Sequence, residues 1–228
     1  LKTGIEEIAR VARELGLGAT PGIGLGDEAK GVIPSAEARA RGGGEWYPGN
    51  TLMAGIGQGM VTVTPMQLVV MVSAIANGGT IFRPWVVRRV ETLDRESIEE
   101  YGPEMVRKVS IDPDNLAIVR QGMQAVVSDG TGGRARIPGL AVAGKTGTAQ
   151  VVRKGGPLRG DHRDHAWFVA FASTTDPQIA VVVLVEHAGF GGAVAAPIAK
   201  NVLEAWFKLP KESGSRVQAP QSESTEGD

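Results

Sequence analysis

The segment that decides the fold is Gly139-Leu-Ala-Val-Ala-Gly144-Lys145-Thr146-Gly147-Thr148. Its first part, Leu140 to Gly144, predicts a β-strand, and Lys145 lies at or inside that strand. In a strand Thr146 and Thr148 point to one face, where two hydroxyl groups can bind a substrate carboxylate. Gly147 leaves the backbone open to a ligand. Lys145 adds positive charge, and the backbone N–H of Thr148 can donate to a developing oxyanion.

The same segment matches G-x-x-x-x-G-K-T, the pattern of the phosphate-binding P-loop. A P-loop follows a strand and opens a helix whose N-terminus faces the phosphates. Neither flank supplies the required element, since Arg134 to Pro138 precedes the pattern and Gly147 to Gly156 follows it. A strand carrying Lys-Thr-Gly is therefore favoured, and a nucleotide-binding loop is the minor alternative.

Capping residues and hydrophobic periodicity predict the helices. Thr3 and Glu6 have the spacing of a capping box, Thr64-Pro-Met-Gln67 is a strong helix start, and Asp112-Pro113 opens a further helix. The predicted helices cover 4–15, 64–77, a segment from 112 with Leu116, Val119, Met123 and Val126 on one face, and a closing segment marked by Ala195, Ile198, Val202, Leu203 and Trp206. The apolar residues of the second helix surround it, which predicts a buried helix. Between 19 and 59 the sequence predicts ordered loop with at most a short helix at Ser35 to Arg41.

Two further strands are predicted at 166–172 and 179–186. Asp176-Pro177 lies between them and indicates a hairpin, hence antiparallel pairing. The last strand is apolar enough to be covered on both faces. After Leu209 the chain is rich in Lys, Glu, Ser, Gly, Pro and Gln, so residues 210–228 are expected to form a disordered tail.

Composition excludes several classes of protein. The 228 residues carry 24 Lys and Arg against 25 Asp and Glu, and this balance argues against a nucleic-acid binder. The hydrophobic fraction of 42% is typical of a soluble globular chain. Cysteine is absent, so disulfides and thiolate chemistry are excluded. The longest apolar run, Ile179 to Val185, is far shorter than the roughly 18 residues that indicate a spanning helix. The N-terminal residues lack the pattern of a signal peptide, so any targeting segment is expected upstream.

Several segments, in order along the chain, resemble the class B penicillin-binding proteins, in particular their penicillin-binding protein 2 group of elongation-type peptidoglycan D,D-transpeptidases. These segments are Glu45-Trp-Tyr-Pro-Gly-Asn50, Gly55-Ile-Gly-Gln-Gly59, Thr64-Pro-Met-Gln67, Lys145-Thr-Gly-Thr-Ala-Gln150, Asp164-His-Ala-Trp-Phe-Val-Ala-Phe-Ala172, and Gly191-Gly192 before Ala195-Ala-Pro-Ile198. The resemblance covers nearly the whole chain up to Leu209. It implies the α+β fold of the β-lactamase and transpeptidase type, with an antiparallel sheet packed with helices. Residues 1–209 would be the C-terminal part of the transpeptidase domain.

The resemblance also implies a function and a setting. It implies serine acyl transfer that cross-links peptidoglycan, with Lys145 and the Thr148 N–H as catalytic groups and Thr146, Gly147 and Thr148 as substrate-binding residues. No cofactor or metal is expected. The implied partners are peptidoglycan stem peptides, β-lactams, a SEDS-family glycosyltransferase, the elongation machinery and the N-terminal part of the same protein. The implied location is the periplasm, on a protein anchored in the bacterial inner membrane.

The nucleophile of this chemistry is not among these residues. The mechanism needs a Ser followed by Lys three residues later, and a second motif of Ser-x-Asn type. None of the ten serines has Lys at that spacing. Ser128-Asp-Gly130 imitates the second motif but lies only 17 residues before Lys145, so Ser128 is interpreted as a helix-end residue. The nucleophile and the second motif are therefore expected upstream of Leu1, and these 228 residues alone are expected to be inactive.

Three other interpretations remain open. A division-type transpeptidase shares Lys-Thr-Gly-Thr-Ala-Gln but lacks the Trp-Tyr-Pro-Gly and Asp-His-Ala-Trp-Phe segments. A non-catalytic β-lactam-sensing module is the second. The third is a zinc site at Asp161-His-Arg-Asp-His165, for which a catalytic zinc needs three well-placed ligands; a polar turn leading into the strand at Ala166 is preferred.

Overall fold

A computed structural model describes residues 2–151 and 163–209. The chain divides into two compact units, Leu1–Gly122 and Met123–Asp228. The point of division lies within helix α5 (Pro113–Ser128). The expected tail at 210–228, and Asp161 and His162 of the zinc interpretation, lie outside the described residues. Among the described helices, none is both long and apolar enough to span a bilayer.

The first unit contains four helices, four short strands and the start of α5. The helices are α1 (Gly4–Glu14), α2 (Ala36–Arg41), α3 (Pro48–Gly55), α4 (Pro65–Ala76) and α5 (Pro113–Ser128). The strands are β1 (Thr80–Phe82), β2 (Arg89–Glu91), β3 (Ser97–Glu100) and β4 (Met105–Lys108). Strand β1 pairs with β4 and β2 pairs with β3, both antiparallel.

Helix α4 begins where its sequence predicts. The Thr64 hydroxyl accepts the N–H of Gln67, and the Gln67 side chain accepts the N–H of Thr64, which completes the capping box. Pro65 occupies the first helical position, where its missing N–H leaves no bond unmade. The prediction of a buried helix is only partly right, because Val72, Ala74, Ile75 and Ala76 are buried whereas Leu68 to Met71 are half-buried.

Several predictions for the first unit are wrong. Thr3 precedes α1 but makes no side-chain cap, because its backbone is helical instead of extended. The carboxylate of Glu6 accepts the N–H of Ala36. A second helix, α3, lies in the segment predicted as loop, starting at Pro48. The buried line of α5 runs through Leu116, Met123 and Val127, while Val119 is exposed. Strands β1 to β4 were not predicted, since they are three or four residues long and mostly exposed, so no alternating pattern marks them.

The second unit is a three-stranded antiparallel sheet with a helix on one face. Its strands are β5 (Val142–Ala149), β6 (His165–Ala172) and β7 (Ile179–Val185), in the order β5-β6-β7, and a 3₁₀ turn at Gly133–Ala135 and helix α6 (Gly191–Trp206) accompany them. The predicted hairpin at Asp176-Pro177 joins β6 to β7. Small residues of α6 (Ala195, Ala196, Ala199) are fully buried with Phe168, Ala170 and Leu203. Their size lets the helix approach the sheet closely.

Strand β7 is less covered than predicted. Only Val181 is buried, and the other six residues are half-buried. Among the described strands, β7 pairs only with β6, at one end of the order β5-β6-β7. The apolar run therefore indicates the strand correctly, and among the described residues its cover is partial.

Candidate functional site

The Lys-Thr-Gly motif lies inside β5. The strand extends beyond the predicted Leu140–Gly144, through Lys145 to Ala149, and pairs with β6 so that Lys145 lies opposite Val169, Thr146 opposite Phe168 and Thr148 opposite Ala166. A P-loop would instead curl around an anion and lead into a helix. The regular ladder with β6 shows that this G-x-x-x-x-G-K-T match is a strand, as the flanking sequence predicts.

Magnesium-ATP is accordingly expected to leave the melting temperature of the chain unchanged. A ligand that binds only the native state must raise that temperature with concentration. Thermal unfolding followed by differential scanning fluorimetry, with magnesium chloride alone as the control, measures the effect. A rise that saturates with ATP concentration would contradict the assignment of the motif to a strand.

The two faces of the motif carry different residues. Thr146 and Thr148 share one face, two residues apart, and both are half-buried. Gly147 faces the other way, where an added Cβ would lie 3.1 Å from the Cβ of Trp167. A larger residue at Gly147 would therefore press on Trp167, so packing across the strands also favours a glycine here. Thr146 and Thr148 are thus held together on one face as predicted.

Lys145 lies at the exposed end of the motif. Its Nζ donates to the backbone carbonyl oxygen of Thr146 at 2.7 Å. An ammonium group carries three N–H donors, of which this bond takes one. Backbone groups two residues apart in a strand point to the same side, so the Thr148 N–H lies along the same edge as the Thr146 carbonyl. The ammonium of Lys145 is therefore placed beside the strand edge on which the N–H of Thr148 lies.

Two contributors to this region were not predicted. The hydroxyl oxygens of Thr131 and Thr146 lie 2.8 Å apart, and Thr131 follows α5 in the turn Ser128-Asp-Gly-Thr-Gly-Gly133. Gly192, in the first turn of α6, lies so close that an added Cβ would be 2.4 Å from the Thr131 carbonyl oxygen and 3.3 Å from Cγ2 of Thr146. The sequence does carry one signal for Thr131, because it is a hydroxyl residue in a glycine-rich turn shortly before the motif.

The start of α6 packs directly on the backbone of the sheet. A Cβ added to Gly191 would lie 2.0 Å from the carbonyl oxygen of Trp167 and 2.4 Å from that of Gly147. Both neighbours are backbone atoms, which cannot move aside as a flexible side chain can. Only glycine therefore lets α6 begin at this distance from β5 and β6.

Gly191→Ala is expected to lower the free energy of unfolding by about 1–3 kcal/mol, the usual range for forced overpacking. Gly122→Ala is the matched control, because Gly122 lies in α5 and a Cβ added there would have no atom within 4 Å. At that position the same substitution is expected to stabilise the helix by about 0.5–1 kcal/mol. Urea denaturation of both variants measures the difference. Equal midpoints would show that α6 does not depend on this close approach.

Ser128 occupies the last position of α5, and its hydroxyl donates to the carboxylate of neighbouring Asp129 at 2.6 Å. This confirms its interpretation as a helix-end residue.

Two histidines meet where β6 begins. The backbone N–H of His187 donates to Nδ1 of His165 at 3.0 Å, and the two ring centres lie 4.7 Å apart. Strand β6 starts at His165, one residue before the predicted Ala166. Among the described residues, no group of three or more His, Asp or Glu side chains is arranged to hold a metal ion. The zinc interpretation also needs Asp161 and His162, which lie outside the described residues.

The fold and the motif-bearing strand define a class of protein. Residues 1–204 match the sequence model of the penicillin-binding protein transpeptidase domain. The chain belongs to this family, which confirms the resemblance drawn from its motifs.

Two named proteins are among the relatives that the chain resembles in sequence. The chain is 34% identical over 207 residues to stage V sporulation protein D of Bacillus subtilis, covering 89% of this chain and 30% of the relative. It is 33% identical over 221 residues to the peptidoglycan D,D-transpeptidase MrdA of Acinetobacter baumannii, covering 93% and 33% respectively. The chain thus spans about a third of the length of these relatives.

Solved structures share the fold. A Pseudomonas aeruginosa PBP2 in complex with WCK 5153 superposes with a TM-score of 0.73 at 39% identity, over 92% of this chain and 45% of that one. A complex between PBP2 and MreC from Helicobacter pylori gives 0.72 at 30% identity, over 90% and 37%. The described chain therefore has the fold of the penicillin-binding transpeptidases, as predicted.

Proposed function

We propose that this chain forms the Lys-Thr-Gly side of the active site of a peptidoglycan D,D-transpeptidase that cross-links the cell wall during elongation. The observation that carries the proposal is the placement of Lys145, Thr146 and Thr148 on β5, in a chain that matches the transpeptidase family along most of its length. The identity to a peptidoglycan D,D-transpeptidase and to PBP2 supports the choice of reaction.

Each motif residue on β5 would have its own role in acyl transfer. A serine hydroxyl attacks the carbonyl carbon of the substrate, and the carbonyl oxygen becomes an oxyanion that the N–H of Thr148 can stabilise. The hydroxyl groups of Thr146 and Thr148 bind the substrate carboxylate, and Lys145 adds positive charge near it. The C–N bond to the terminal D-alanine breaks, the proton lost by the serine hydroxyl goes to the departing amine, and the acyl group stays on the serine oxygen. An incoming amine then attacks this ester carbonyl and forms the new amide, while the proton it loses returns to the serine oxygen. A β-lactam would follow the first half of this course, with its ring nitrogen as the tethered leaving group.

The nucleophilic serine is proposed to come from a part of the protein outside these 228 residues. None of the ten serines here has a lysine three residues later. The 228 residues alone are therefore expected to show no penicilloyl adduct, measured by intact-mass spectrometry after incubation with a fluorescent penicillin. The intact protein is the positive control. A stoichiometric adduct on the 228 residues would overturn this assignment of the nucleophile.

The partners and location are proposed from the relatives. Substrates would be stem peptides, and β-lactams would act as inhibitors. The solved complex of a PBP2 with MreC supports an elongation-machinery partner. A SEDS-family glycosyltransferase and the N-terminal part of the same protein complete the proposed set. The domain would work in the periplasm, on a protein anchored in the inner membrane.

The decisive experiment separates an enzyme from a β-lactam-sensing module. The intact protein is incubated with a donor stem peptide ending in D-Ala-D-Ala and an amine acceptor, and released D-alanine and cross-linked product are quantified. A transpeptidase should release D-alanine in step with product formation. A protein that is acylated by penicillin but forms no product would be a sensor, and that outcome would overturn the proposal.

A further inference from the structure

We propose that Thr131 is a positioning residue for the Thr146 hydroxyl, holding it as a hydrogen-bond donor towards the substrate carboxylate; this rests on the proposed function. The two hydroxyl oxygens are 2.8 Å apart, the normal distance for an O–H···O bond. Thr131 is exposed and Thr146 half-buried, so the pair lies at the surface of the second unit, where a ligand can reach it.

Either hydroxyl can donate in this bond, and the proposed role requires Thr131 to be the donor. A hydroxyl group has one O–H donor and two acceptor lone pairs. If Thr146 donated to Thr131, its only proton would be used, and it would meet a carboxylate with lone pairs alone. If Thr131 donates, the proton of Thr146 remains available for the carboxylate. Chains of hydrogen bonds also polarise one another, so a donating Thr131 strengthens the bond that Thr146 makes.

The backbone around Thr131 is held on two sides. The N–H of Gly132 donates to the carbonyl oxygen of Val126 at 2.8 Å, which closes the turn after α5. A Cβ added to Gly132 would lie 3.1 Å from the ring of Phe168, the residue paired with Thr146 across the strands. The first turn of α6 lies against the Thr131 carbonyl through Gly192. These contacts place the Thr131 hydroxyl beside Thr146 before any substrate arrives.

The test compares three proteins and two reagents. Thr131→Val keeps the branched shape without the hydroxyl, and Thr131→Ser keeps the hydroxyl. Acylation rates of the intact protein are measured with penicillin G and with its methyl ester, which lacks the carboxylate charge. Thr131→Val is expected to slow acylation by penicillin G about threefold to tenfold, the loss of one neutral hydrogen bond. Thr131→Ser is expected to stay within about twofold of wild type. The ester carbonyl oxygen is a weaker acceptor than a carboxylate, so Thr131→Val should slow the ester less than it slows penicillin G.

Controls separate positioning from damage to the fold. Thr3→Val is the matched control, because the exposed Thr3 side chain makes no capping bond. Unchanged acylation of Thr131→Val by penicillin G would overturn the proposal, as would equal slowing with the ester or failure of Thr131→Ser to restore the rate. If wild type itself is not acylated, or if Lys145→Ala and Thr148→Ala react normally, the proposed function fails instead.

Discussion

Replacing Lys145 by alanine in the intact protein is expected to slow acylation by penicillin by about a hundredfold or more, while Thr148→Ala slows it by about tenfold to a hundredfold. The loss of a charge-assisted hydrogen bond costs about 1.5–3 kcal/mol, and each 1.4 kcal/mol lost from the transition state is roughly tenfold in rate. Lys145→Ala is expected to have the larger effect because it removes a full positive charge beside the proposed carboxylate site. Thr148→Ala removes one hydroxyl but keeps the backbone N–H.

Second-order acylation rates of the variants decide this prediction, with melting temperatures as the test of folding. Lys108→Ala is the matched control, since Lys108 is an exposed strand lysine in β4. If Lys145 were only a solvated lysine, its replacement would behave like that of Lys108. Equal rates for Lys145→Ala, Thr148→Ala and wild type would remove both residues from the site, whereas a fall in melting temperature alone would assign them a structural role.

The sequence predicted the second unit better than the first. Strands β5, β6 and β7 and helix α6 bury apolar residues in runs or at helical spacing, and such patterns survive in the fold because burial is their physical cause. The strands β1 to β4 bury almost nothing, so no pattern could mark them. Helix α3 begins at Pro48 within a glycine-rich stretch. Because such residues are typical of turns, the sequence did not predict that a helix begins there.

The residues of the candidate site likewise fall into those that the sequence predicts and those that it does not. Lys145, Thr146, Gly147 and Thr148 are consecutive, so a motif can indicate them and strand alternation predicts their faces. Thr131 reaches Thr146 only through the turn after α5, and Gly192 reaches both only through the packing of α6. No local pattern encodes contacts of this kind. They depend on register and on close approach between elements that are distant in sequence.

Gln67→Ala is expected to cause the largest loss of stability in the first unit. Gln67 is fully buried, and its Nε2 donates to the carbonyl oxygens of Ala19 and Lys30 at 2.7 Å each while its Oε1 accepts the N–H of Thr64 at 2.9 Å. Alanine would leave two carbonyl groups and one N–H without these partners. Ala19 and Lys30 are exposed and Thr64 is half-buried, so water can replace part of these bonds. With each hydrogen bond contributing about 0.5–1.5 kcal/mol, and with the cavity left by a buried side chain, a loss of about 3–5 kcal/mol is expected.

Isosteric replacement separates hydrogen bonding from the space left by a smaller side chain. Gln67→Glu keeps the shape and the acceptor towards Thr64, but its carboxylate oxygen would face two carbonyl oxygens, so it should destabilise the unit at least as much as Gln67→Ala. Gln121→Ala, at an exposed position of α5, should change the free energy of unfolding by no more than about 0.5 kcal/mol. Urea midpoints and amide hydrogen exchange within α4 report the loss. A Gln67→Glu protein as stable as wild type would show that volume, and not the bonds to Ala19 and Lys30, holds the long segment before α4 in place.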